Sequence, residues 1–145
     1  PPHLSGCPAP LAASMIEGGD GGRVVVLVPV HALRPSRACG RAAVAGSFMT
    51  TVAQVAAVEL APAGIRVNVV HPDAVFDTAL WTDDLIAERA AGYGLTPEQY
   101  RRRNVLGAEV TSAHVAAAAV ALCGPAFART TGAQIAVDGG NDRVI

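Results

Sequence analysis

Glu59-Leu60-Ala61-Pro62-Ala63-Gly64-Ile65-Arg66-Val67-Asn68-Val69-Val70 is the stretch that decides the fold. Leu60 closes an apolar helical pattern that begins near Arg41, and Pro62-Ala63-Gly64 breaks it. Ile65 to Val70 then alternates in the manner of a strand, and His71-Pro72 is expected to stop it. Working outward, Val24-Val25-Val26-Leu27-Val28 is a β-branched run of the kind found in buried parallel strands, entered from a helix over Pro10 to Glu17 through the turn Gly18-Gly19-Asp20-Gly21-Gly22. On the other side, Gln134-Ile135-Ala136-Val137 is a short last strand before Asp138-Gly139-Gly140.

Helices fill the intervals. In the helix from Arg41 to Ala61, Val44, Phe48, Val52 and Val55 form one apolar row and Ala45, Met49, Ala56 and Leu60 a second. Ser47, Thr50, Thr51 and Gln54 make a narrow polar strip, so the helix is expected to be covered on two sides. Between Thr78 and Asn104 there are two start signals: Thr82 followed by Asp83 and Asp84, and Thr96-Pro97-Glu98-Gln99 with N-cap, Pro at N1 and a capping-box Gln. Thr111 or Ser112 caps a further helix from Ala113 to Cys123, ended by Gly124-Pro125. Strands separated by helices imply right-handed crossovers and a parallel sheet. The fold class is α/β, a partial Rossmann-like doubly wound sheet, with residues 1–145 as one unit.

Composition narrows the function. With 51% apolar residues and a net charge of −1, the chain fits a globular domain with a core. Arg101, Arg102 and Arg103 are a single short basic cluster, so nucleic acid is not an expected partner. The uninterrupted apolar runs, Val24 to Val30 and Val115 to Cys123, are shorter than the roughly 20 residues of a membrane span. Pro-Pro-His-Leu-Ser-Gly-Cys shows no secretory signal, and a cytoplasmic setting is expected. Cys7, Cys39 and Cys123 have neither disulfide nor zinc spacing. All eleven basic residues are arginine, so there is no lysine.

Three separated phrases, Gly22-Arg23-Val24-Val25-Val26, Glu59 to Val70 and Thr131-Gly132-Ala133-Gln134-Ile135-Ala136-Val137-Asp138-Gly139-Gly140, resemble the fifth, sixth and seventh strands of the short-chain dehydrogenases/reductases with their flanks, in order and spacing. The resemblance covers nearly the whole chain and identifies it with the C-terminal half of that fold. His71-Pro72-Asp73-Ala74-Val75, Trp81, Glu88-Arg89-Ala90-Ala91-Gly92-Tyr93-Gly94, Tyr100-Arg101-Arg102-Arg103-Asn104 and Gly139-Gly140-Asn141 look like the dehydrogenase domain of the bifunctional rhamnulose-1-phosphate aldolase/lactaldehyde dehydrogenases. Asp73 follows the Pro there, where most relatives carry Gly.

The resemblance implies NAD or NADP as cofactor and a Ser, Tyr and Lys as catalytic set. In register those positions fall on Pro29, Ala42 and Gly46, none of which performs the proton transfer. The Gly-rich turn that binds the pyrophosphate has no counterpart, since Gly18 to Gly22 precedes a strand and opens no helix. Of the cofactor-binding positions, Pro72, Val75 and Thr78 match the family segment that contacts the nicotinamide carboxamide. The chain alone is expected to bind no cofactor tightly.

Other chemistry has few carriers. His31 and His71 lie near strand ends, where open α/β sheets place ligands, but no Ser or Cys nucleophile stands at a recognisable elbow beside them, and partly buried, hydrogen-bonded histidines are the better reading. His114 is read as a surface residue in the first turn of its helix. Asp73, Asp77, Asp83 and Asp84 form an acidic cluster, with Asp83 and Asp84 better explained as charges at a helix N-terminus, and no metal site is expected. Four functions remain: a degenerate family member acting as an assembly or non-catalytic partner; one half of a split NAD(P)-dependent reductase of the sugar or hydroxyaldehyde type; an enzyme with repurposed chemistry in the same crevice; and a truncated product without function. A homo-oligomer or a complex with a homologous dehydrogenase chain is expected in the first case.

Overall fold

The computed structural model describes residues 9–30 and 40–141. His31, Cys7, Cys39 and the loop read over Leu33 to Gly40 therefore lie mostly outside the described residues. The elements are helix α1 (Ala9–Gly18), strand β1 (Gly22–Leu27), helix α2 (Gly40–Leu60) with a 3-10 turn at Ala61–Ala63, strand β2 (Ile65–Pro72), helices α3 (Asp83–Gly92), α4 (Pro97–Arg101) and α5 (Ser112–Cys123), a 3-10 turn at Pro125–Phe127, and strand β3 (Gln134–Val137). The sheet is parallel in the order β1-β2-β3. It is an α/β Rossmann-like sheet, as expected.

β2 is the central strand and is buried almost throughout, with Ile65, Val67, Val69 and Val70 at most 1% exposed. Burying a side chain of this kind contributes about 1.5–3 kcal/mol, so these few residues anchor the domain. One face of the sheet carries Val67 and Val69 against Ala53, Ala56, Ala57 and Leu60 of α2 and Ala12 of α1. The other carries Val70 against Val115 and Leu122 of α5. A third cluster, Phe76, Ile86, Ala90 and Tyr100, holds α3 and α4 together beyond the end of β2.

Two turns lock the start of the sheet. Gly21 has φ 70° and Gly64 φ 72°, both left-handed, and a Cβ on Gly21 would lie 2.7 Å from the Gly64 carbonyl oxygen. Only glycine allows that approach without displacing backbone.

Two expectations about α2 and β2 are corrected. The face of α2 buried on the sheet is made of Ala43, Gly46, Thr50, Ala53, Ala56, Ala57 and Leu60, because small side chains let a helix approach a sheet closely. Thr50, read as part of a polar strip, is thus buried, while Val44, Phe48 and Val58 are 74%, 65% and 76% exposed. Among the described residues the sheet covers one side of the helix. β2 also continues through His71 and Pro72, which pair with Ala136 and Val137. Because β3 supplies a partner on one side, the missing N–H of Pro72 does not end the strand there.

Gly40–Ala63 is also long and apolar enough, by length and composition, to cross a membrane. Its inner face packs on β2 as the core helix of a sheet layer.

Candidate functional site

The carboxyl ends of the parallel strands converge on Val28, His71, Pro72 and Asp138, the place where open α/β sheets bind ligands. His71 is fully buried. Its Nδ1 lies 2.9 Å from the Val28 carbonyl oxygen and its Nε2 3.2 Å from Oε1 of Gln134. The ring thus ties all three strands together, and both nitrogens are occupied by the fold.

Beyond β2 the chain turns sharply. Ala74 is the one non-glycine among the described residues with positive φ, 51°, a left-handed conformation that costs an L-residue about 1–2 kcal/mol. Bonds on both sides hold it: the Asp73 N–H donates to the Val137 carbonyl at 3.3 Å, the Asn141 side-chain amide donates to the Asp73 carboxylate, and Val75 bridges to Val110. Thr78 then donates its hydroxyl to the Val75 carbonyl at 2.9 Å. Pro72, Val75 and Thr78 are therefore set in sequence along the rim of the strand ends. Val75 and Thr78 touch through that bond, and Thr78 is exposed. Beside them a cavity of about 360 Å³ opens at the end of β3, lined by Val110, His114, Val137, Asp138 and Gly139 among others.

The positions aligned with the family catalytic groups lie along the end of β1 and the start of α2. Pro29 is exposed just past β1, Ala42 is exposed in the first turn of α2, and Gly46, one turn further, is buried in the face that meets the sheet. None carries a hydroxyl or an amine.

The acidic residues do not form one site. Asp83 pairs with Arg101 at 3.3 Å, and Arg101 also reaches Glu109 at 3.1 Å. Asp83 and Asp84 stand in the first turn of α3, as the helix dipole favours. Asp77 accepts from the Ser112 N–H at 2.8 Å and the Ser112 hydroxyl at 2.6 Å, capping α5. The Ser112 hydroxyl, then its N–H, hold the Asp77 carboxyl below its ordinary pKa. Among the described residues no group of three metal-ligating side chains gathers.

His114 is on the surface, and its Nδ1 accepts from the Thr111 N–H at 3.1 Å, completing the α5 cap. Tyr100 is 3% exposed amid Phe76, Trp81 and Tyr93, with the Arg103 guanidinium 5.0 Å from its ring centre. Burial pushes the Tyr100 hydroxyl up in pKa. The Asp73–Asn141 bond and the Asp77 cap span too much sequence to be read from it. Thr111 and Ser112, at the N-cap and first position of α5, gave the start of the helix but not Asp77 as the partner.

The family model described as enoyl-(acyl carrier protein) reductase matches residues 9–142. The uncharacterized oxidoreductase YuxG of Bacillus subtilis (strain 168) is 40% identical over 96 residues, 63% of this chain and 14% of that protein. A short-chain type dehydrogenase/reductase from Mycobacterium ulcerans superposes with TM-score 0.76 at 31% identity, over 90% of this chain and 44% of that one. Carveol dehydrogenase from Mycobacterium avium, solved in complex with NAD, superposes with TM-score 0.76 at 23% identity, over 87% of this chain and 48% of that one, a likeness of fold. The chain spans about half the length of these solved structures, and less of YuxG. The match along residues 9–142 and the strand order together place it: the chain belongs to the short-chain dehydrogenase/reductase superfamily, in the family whose model is described as enoyl-(acyl carrier protein) reductase.

Proposed function

We propose that this oxidoreductase-family chain is degenerate: it performs no family hydride transfer by itself and acts as an assembly or non-catalytic partner of a homologous dehydrogenase chain. The observation that carries this is the start of α2, where Ala42 and Gly46 stand in register with the family Tyr and Lys in a chain without lysine. Proton transfer to a carbonyl needs a group of tuned acidity within hydrogen-bond reach, and neither residue has a donor beyond its backbone. Within the superfamily, we place it nearest the dehydrogenase domain of the bifunctional rhamnulose-1-phosphate aldolase/lactaldehyde dehydrogenases. Asp73 and Asn141, which mark that resemblance in two distant phrases, are hydrogen-bonded to each other. NAD or NADP is the cofactor of the assembled protein, with Pro72, Val75 and Thr78 at its nicotinamide end. A cytoplasmic setting accompanies this reading.

One feature favours a partner that completes the sheet. Among the described residues β1 is paired only with β2, and Leu27 at its end is 57% exposed. An unpaired parallel edge is a template for another strand. A split reductase, with the nucleotide-binding half on a separate chain, is the second reading.

The test is turnover. The purified chain is expected to give no NAD(P)-dependent oxidation or reduction of hydroxyaldehydes, ketones or sugars above background, and calorimetry to give millimolar or undetectable dinucleotide affinity. Turnover that survives further purification and disappears when a residue of this chain is changed would overturn the proposal.

A further inference from the structure

We propose that the amino-terminal end of the sheet, opposite the strand ends described above, is a binding site for a small phosphate-bearing ligand. Three arginines from three elements meet around a cavity of about 510 Å³ there: Arg23 of β1, Arg66 of β2 and Arg129 in the turn after Phe127. Asp20 is the one acidic residue in its wall.

The register makes this arrangement more than a scatter of surface charge. Arg23 and Arg66 are direct Cα partners across the β1–β2 ladder, so their side chains leave the same face of the sheet about 5 Å apart. Like charges placed directly opposite on adjacent strands repel. Arg66 relieves part of this by donating from Nη1 to the Thr130 carbonyl at 3.0 Å and from Nη2 to the Cys123 carbonyl at 3.5 Å. That fixes its guanidinium at the cavity wall, half-buried, and the carboxyl end of α5 accounts for that one cation. It does not account for the other two. Among the described residues neither the Arg23 nor the Arg129 guanidinium has a salt-bridge or hydrogen-bond partner. Thr130, whose carbonyl holds Arg66, adjoins Arg129, so the same short turn positions two of the three guanidinium groups.

Guanidinium forks match the oxygens of a phosphate group, and three around one concavity exceed what a single carboxylate would neutralise. The cavity has room for an organic body beyond the phosphate, along its apolar wall of Ile65, Ala61 and Pro125. The site is remote from the rim of Pro72, Val75 and Thr78, so it stands or falls independently of the cofactor reading.

Inorganic phosphate, sulfate and chloride at matched ionic strength, read by thermal melting of the purified chain, test the site. Phosphorus NMR line broadening of inorganic phosphate provides a readout that does not depend on stability. Phosphate is expected to raise the melting temperature saturably and beyond chloride. Arg23→Ser and Arg129→Ser, both at exposed positions, are each expected to weaken phosphate about tenfold or more, while Arg102→Ser, on the far lobe, leaves it unchanged. A sulfate effect as strong as phosphate supports an oxyanion site of the same class. Equal responses to phosphate and chloride, or line broadening that survives the paired Arg23→Ser and Arg129→Ser changes, would overturn it.

Discussion

The imidazole of His71 takes up the carbonyl of Val28, with Nδ1 at 2.9 Å from the oxygen. A carbonyl only accepts, so Nδ1 carries the hydrogen. The register explains why the side chain is needed. Val28 donates its N–H to the Val70 carbonyl, and the next link of a parallel ladder would be an N–H from residue 72 to the Val28 carbonyl. Residue 72 is proline and has none. His71 supplies the missing donor from its ring.

Replacing His71 with Ala therefore removes a ladder bond and leaves a buried carbonyl and a cavity at the centre of the sheet. A loss of about 3 kcal/mol is expected, measured as a shift in the denaturant midpoint. His71→Asn, which keeps a short donor, should recover part of it. A His71→Ala chain as stable as the parent would show that the Val28 carbonyl finds another donor.

Asp77 makes stability depend on acid. Its carboxyl titrates below its ordinary value because the Ser112 hydroxyl and N–H favour the charged form, so between the folded and unfolded values the unfolded chain binds more protons. Stability then rises with pH through that window. The contribution is complete above about pH 4 and fades as pH falls through the folded value. Asp77→Asn is expected to flatten this acid limb and to fray α5, seen as faster amide exchange near Ser112. The effect is small because the carboxylate is in water. An unchanged acid limb would remove Asp77 as its source.

Tyr100 is the hub of the α3–α4 lobe, in ring contact with Phe76, Trp81 and Tyr93. Tyr100→Ala should cost about 3 kcal/mol and open that lobe, with amide exchange rising from Asp83 to Arg101 while β2 stays protected. Uniform loss of protection across β2 would show the lobe and the sheet to be one cooperative unit.

Phe48 stands in an exposed apolar row with Val44 and Val58 on the outer side of α2. If that row is the contact of the proposed assembly, Phe48→Glu should convert an oligomer to a monomer in light scattering without lowering the melting temperature of the monomer. An unchanged mass would move the contact elsewhere, to the open edge of β1 first.

The strands and most helix starts were legible because each carries its own local chemistry. β-branched runs at Val24 and Ile65, the breaks at Gly64 and Gly124, and the Thr96–Gln99 capping box, with bonds of 2.9 and 3.2 Å, are all short-range signals. The face that α2 buries was not, because apolar periodicity records which residues are oily and says nothing of which are small enough to sit against a sheet. Gly46 and Thr50 fill that role, and large side chains elsewhere on the helix are left outside. At the rim of the site, Pro72, Val75 and Thr78 were named only through the family resemblance, and the Asp73–Asn141 bond and the Asp77 cap join residues 68 and 35 apart. No local pattern encodes pairings of that length.

The segment Thr130 to Ala133 is stitched to the middle of β2 before β3 begins. The Asn68 side chain donates to the Thr130 carbonyl at 3.1 Å and accepts from the Ala133 N–H at 3.0 Å, and Gly132 donates to the Val67 carbonyl at 2.7 Å. These partners are 62 or more residues apart. Every one of those bonds needs a long loop closed first, and the entropy of closure is lost before any contact repays it. β2 thus waits, apolar and unpaired along one side, until the segment from Thr130 to Val137 arrives. Folding should be slow for a domain of this length, and a ribosome-bound or chaperone-bound chain that ends short of Thr130 should expose the hydrophobic centre of the sheet.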